Sequence, residues 1–125
     1  MEIIKIPYDR DKQCTVHDVE KSKCLDQIKQ LIGIDWAEVV VTRLRSSDPR
    51  RDFCLIVDDV GKLKEGWQEK INLRASLFYA GFPIDPIVGD VVLCARQWSQ
   101  LYGECDLAGL DENELEQILI KCQIA

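Results

Sequence analysis

Two aspartates flank a proline–glycine turn, Asp85-Pro86-Ile87-Val88-Gly89-Asp90, at a spacing that could hold a cation or divide acid and base duties. Neither a third carboxylate at calcium-loop spacing nor a nucleophile accompanies them. A tight turn, with Asp85 bonding local amides and Gly89 permissive before a strand, is therefore the favoured reading. Asn72, Arg74 and Tyr79 lie on or beside one short helix just upstream. They offer a polar ligand contact, an anion clamp and a stacking face. They equally suit a helix cap, a solvated first-turn residue and a half-buried ring. If the chain has a small-molecule pocket, this helix and the 85–90 turn are where it is expected.

Arg43, Arg45, Arg50 and Arg51 place four of the seven arginines within nine positions, with Ser46 and Ser47 between them. That pattern suits a phosphate or an acidic partner. Asp48 and Asp52 cut the local surplus to two, so a solvated hairpin tip competes. Trp67, in the polar stretch Lys64–Glu69, is either a partner contact or a lid over the edge of a small core. The single histidine, His17, adjoins Asp18 in a strand, where neighbours face opposite ways, so Asp18 is badly placed to orient it as a base. The sequence carries no Gly-x-Ser-x-Gly, no Cys-x-x-Cys and no glycine-rich phosphate loop. No catalytic residue, metal ligand set or cofactor is assigned.

The elements that must position these residues follow from patterning. Glu2–Pro7 and Thr15–Glu20 read as a hairpin around the polar turn 7–12. Ser22 suits an N-cap for a helix with Leu25, Ile28, Leu31 and Ile32 on one stripe and Gly33 as its stop. Trp36–Leu44 and Phe53–Val57 predict an antiparallel strand pair, followed by an edge segment near Leu63. Asn72 caps a short helix over Leu73–Ala80, and Val91–Ala95 is a buried strand. Asp111 and Glu114 form a capping-box pattern ahead of an apolar stripe of Leu115, Ile118, Leu119 and Cys122. The expected class is α+β: a curled, mainly antiparallel sheet of about five strands, with two or three helices packed on one face.

One domain fits 125 residues. It divides into a small α+β body, 1–103, and an acidic amphipathic C-terminal helix, 104–125, packed on it or extending from it. Sixteen basic and 22 acidic residues give a net charge of −6. Six acids and one lysine fall in 104–125, which leaves residues 1–103 at −1. The acidity belongs to the tail, and nucleic acid is a disfavoured partner rather than an excluded one. The N-terminus is too short and charged for a signal peptide, and no apolar run approaches the ~18 residues of a membrane span. Six cysteines without a disulfide-like spacing point to reduced thiols in a cytoplasmic protein.

The ordered series Val57-Asp58-x-x-Gly61-Lys62-Leu63, Asn72-x-x-Ala75 and Asp85-Pro86-Ile87-Val88-Gly89-Asp90, with the opening Ile4-Lys5-Ile6-Pro7-Tyr8-Asp9, carries a resemblance over residues 2–96. The chain resembles an uncharacterised domain-of-unknown-function family of small proteins from bacteria, phages and plasmids. The resemblance implies a small α+β fold and a mobile-element setting, and supplies no activity. Two functions are expected from different classes. The first is a non-enzymatic interaction module from a virus or mobile element that acts on a host factor, with a protein partner or self-association through the C-terminal helix. The alternative is a small-ligand or nucleotide-binding domain with weak hydrolytic activity.

Overall fold

The computed structural model describes residues 1–99 and 103–124. Among these described residues six strands form one sheet: β1 (Glu2–Ile6), β2 (Thr15–Asp18), β3 (Ala37–Arg45), β4 (Arg51–Asp58), β5 (Val91–Trp98) and β6 (Cys105–Ala108). Every pairing is antiparallel, in the order β2-β1-β5-β4-β3, with β6 also on β5. β1 pairs with Val91–Leu93 and β6 with Ala95–Trp98, so the two run end to end along the edge of β5 that β4 leaves open. Their junction is tight. A Cβ on Gly109 would come within 2.8 Å of Met1 Cβ and 2.9 Å of the Glu2 nitrogen. Glycine is needed there for close approach of two backbones.

The central strands β4 and β5 are buried on both faces, which their unbroken apolar runs require. Alternate residues of Phe53–Val57 and Val91–Ala95 enter two separate cores. Ile3, Cys54, Ile56, Val92 and Cys94 meet α1 (Cys24–Ile32) through Ile28. Ile4, Phe53, Leu55, Val91 and Leu93 meet α2 (Leu73–Phe78) and α3 (Glu112–Ile124). The helices thus cover both faces, not the single face expected from sequence, and β6 makes six strands where about five were expected.

Local signals explain most boundaries. Gly33 adopts a left-handed φ of 70° and ends α1, its N–H bonding the Lys29 carbonyl. Ser22 is not the cap: a 3-10 turn, Lys21–Lys23, precedes α1, and no side chain caps either start. Leu63 lies in a 3-10 turn, Gly61–Leu63, and is exposed, so it forms no edge strand. α2 stops at Phe78, two residues earlier than expected, because Tyr79 turns extended and bridges Thr42 of β3.

α3 is fastened at both ends. Asp111 and Glu114 bond each other's backbone N–H at 2.8 and 2.9 Å, the reciprocal capping box. The Glu114 carboxylate also receives Arg51 Nε and Nη2 at 2.9 and 2.6 Å, which ties the helix start to β4. Ile118 and Cys122 are buried in the core, with Leu115 and Leu119 packed beside them. Burial of a side chain such as Ile118 contributes roughly 1.5–3 kcal/mol. The apolar stripe of α3 thus packs on the sheet, with Leu115 and Leu119 only partly covered. Ala125, the last residue of that tail, lies outside the described residues.

Candidate functional site

Asn72 is fully buried and acts as a hub. Its Oδ1 accepts from Ala75 N–H at 3.0 Å, which caps α2. Its Nδ2 donates to the Ile6 and Gly89 carbonyls at 2.8 and 2.9 Å. The side chain therefore joins β1, α2 and the 85–90 turn, and has no donor left for a ligand.

The two aspartates do not act as a pair. Asp85 engages Lys62 and accepts from Tyr79 Oη at 3.1 Å. Asp90 accepts the Tyr8 N–H at 3.0 Å and lies 3.7 Å from Lys5 Nζ. They border different hollows: Asp85 with Lys62 and Leu63, Asp90 with Trp67 and Tyr8. Half-buried Trp67 lines the second of these. Among the described residues, no group of three His, Cys, Asp or Glu is placed to hold a metal ion.

The four arginines also diverge. Arg43 donates to the Phe82 carbonyl at 2.7 Å, and Arg50 sits 3.7 Å from Asp48. Arg51 lies in β4 rather than in the loop and is consumed by Glu114 and by the Gly109 carbonyl at 2.6 Å. Glu114 holds the Arg51 guanidinium above its usual pKa. Only Arg45 and Arg51 of the four line the large open cleft, about 870 Å³, between the β3–β4 loop and the start of α3. Glu2, Asp48, Asp111 and Glu114 share its walls, so its charge is mixed. His17 bonds Thr15 Oγ1 at 2.6 Å across one strand face, while Asp18 pairs with the N-terminal amine.

Arg74 is different. It is 6% exposed, although it is charged and sits in the first turn of a helix. Its Nη2 donates to the Pro7 and Asp9 carbonyls at 2.7 and 3.0 Å, gripping the β1–β2 connection. Its Nε–H is buried without a partner. An unpaired buried donor costs roughly 1–3 kcal/mol, and more on a charged group.

Arg74 borders a cleft of about 370 Å³ between the segment before β2 and the end of α3. Arg10, Lys12, Gln13 and Cys14 line it from one side, and Leu119, Cys122 and Gln123 from the other. Three cations and two amides face it, and no carboxylate does among the described residues. The Cys14 thiol is held down to about 7, mainly by a hydrogen bond from Cys122; burial opposes this and the Arg74 charge assists. Cys122 is pushed far up by the same bond and by its own burial. The arrangement can bind a small anion and keep a thiolate beside it.

Of the residues singled out from sequence, only Arg74 belongs to this cleft. Nothing in the sequence marks Arg10, Lys12, Gln13, Cys14, Leu119, Cys122 and Gln123 as one site. The basic pair in the 7–12 turn was a signal; the meeting of positions 14 and 122 was not legible.

No helix among the described residues is long and apolar enough to cross a membrane. No curated protein and no solved structure matches the chain. A family model does match, over residues 1–121, and so runs past the span of the sequence resemblance through most of α3. The chain belongs to the family described as Domain of unknown function (DUF3846).

Proposed function

We propose that this protein is a binding module for a small anion that carries phosphate or carboxylate groups, held in the cleft between the β1–β2 connection and α3. The observation that carries the reading is Arg74: a nine-tenths-buried guanidinium with an unpartnered Nε–H, in a hollow that Arg10 and Lys12 also face. An anion there would offset the charge of Arg10, Lys12 and the buried Arg74 guanidinium behind them. The volume, about 370 Å³, lies in the range of small-ligand sites. A protein partner docking on the stripe of α3 has less support, since Ile118 and Cys122 are already buried against the sheet.

The test is calorimetric titration of the full chain with pyrophosphate, AMP and citrate at low salt, beside the Arg10→Glu/Lys12→Glu variant. Both side chains are exposed, so the variant should fold as the parent does. Binding by at least one anion, weakened tenfold or more in the variant and by added salt, supports the reading. Absence of heat with all three, or equal affinity in the variant, overturns it.

A further inference from the structure

We propose that Cys14 and Cys122 form an oxidisable pair, in which a hydroperoxide converts Cys14 to a sulfenic acid and Cys122 then closes a disulfide across the cleft. The proposal stands independently of what anion the cleft binds.

The two thiols lie on separate elements that meet at one hollow. Cys14 precedes β2 and is half-buried, which leaves it open to a small oxidant. Cys122 lies in the last turns of α3 and is 1% exposed, within the core cluster against which Cys14 packs. Both residues line the one cleft, Cys14 packing against the cluster that holds Cys122, and the neighbouring Cys122 is the main influence that lowers the Cys14 thiol. Arg74 supplies positive charge beside them, and Arg10 and Lys12 add to it from the same cleft. A thiolate, not a thiol, is the nucleophile toward peroxide, and cationic surroundings with partial exposure mark reactive cysteines.

In the first step the Cys14 thiolate attacks one oxygen of the hydroperoxide. An S–O bond forms, the O–O bond breaks, and the departing oxygen takes a proton from solvent. Cys14 is oxidised by two electrons and the peroxide is reduced. In the second step the Cys122 sulfur attacks Cys14. The S–S bond forms, the S–O bond breaks, and hydroxide leaves as water with the proton that Cys122 held toward Cys14. With hydrogen peroxide, two thiols and one peroxide give one disulfide and two waters. Reduction by an external thiol restores the pair.

The experiment treats the full chain with one equivalent of hydrogen peroxide at pH 7, followed by non-reducing digestion and mass spectrometry. A linked peptide pair containing Cys14 and Cys122 as the main product is expected. Cys122→Ser should retain the hydrogen bond but lose the cross-link, leaving Cys14 as a sulfenic acid that dimedone traps. Cys122→Ala should lose both the cross-link and the low titration midpoint of Cys14. The proposal is overturned if Cys14 stays unoxidised, if it runs on to sulfinic acid without a link in the parent chain, or if another cysteine pair closes first. The parent chain alone decides the matter should a variant fail to fold.

Discussion

Two cysteine pairs sit at opposite extremes of this molecule. Cys54 and Cys94 are cross-strand partners on β4 and β5, with sulfurs 3.6 Å apart and no exposure at all. Cys14 and Cys122 instead line one open cleft, together with three cations. In the first pair the Cys94 thiol is pushed well up, by its neighbour's hydrogen bond and then by burial. In the second the buried Cys122 is likewise pushed up, while the half-buried Cys14 is held down by its neighbour Cys122 and by the Arg74 charge. A second thiol nearby is therefore not by itself what makes a cysteine reactive. Access and nearby positive charge decide it. The sealed pair behaves as small apolar filling in the α1 core, and the open pair is equipped for chemistry.

The largest expected effect separates the pairs by stability. Closing Cys14 to Cys122 ties together a loop of over one hundred residues, and chain-entropy arguments give about 4–5 kcal/mol for a loop of that length. Thermal melts of the peroxide-treated chain should rise by several degrees and return on reduction. The Cys122→Ser variant should show no such rise. A smaller effect comes from loosening the element that brings Cys122 to the cleft. Ile118→Ala removes a buried anchor one turn away and should cost about 3 kcal/mol in denaturant unfolding. Its cross-linking yield should fall while Cys54 and Cys94 stay protected.

Next in size, Cys94→Ser places a hydroxyl in the sealed core beside Cys54. A loss of roughly 1–2 kcal/mol is expected, with no change in the Cys14 titration. The smallest effect is the most selective. Cys122→Ala removes the main cause of Cys14's low value, so its alkylation midpoint should move up from about 7 toward the ordinary thiol range.

The same contrast shows what was legible beforehand. Gly33 as a helix stop, Asn72 as a cap and the Asp111–Glu114 box were readable because each depends on residues a few positions apart. The apolar runs of β4 and β5 were read as strands. Their lack of alternation is the mark of strands covered on both faces. β6 was missed because Cys105–Ala108 is four residues long and gains its place only by continuing the line of β1 on β5. At the site, the sequence favoured Asn72 as a helix cap, which it is. It expected Asp85 to bond local amides, whereas Asp85 engages Lys62 and Tyr79, side chains that only the fold brings to it. It had no means of burying Arg74, whose charge argues for solvent until its carbonyl partners at Pro7 and Asp9 are known. Nor did it bring Cys14 to Cys122, since that contact depends on packing between distant segments.

The most direct measurement is the alkylation of all six cysteines in the folded chain between pH 5 and 10, each followed by its own peptide. The reactive form is the thiolate, so each rate rises with pH through that residue's own midpoint. Cys14 should reach half its limiting rate at about pH 7, and at pH 7 it should react on the order of threefold faster than an ordinary exposed thiol. Cys54 and Cys94 should stay unlabelled throughout. A Cys14 midpoint near the ordinary value of about 8.5, or labelling of Cys54 and Cys94 alongside it, would contradict the account.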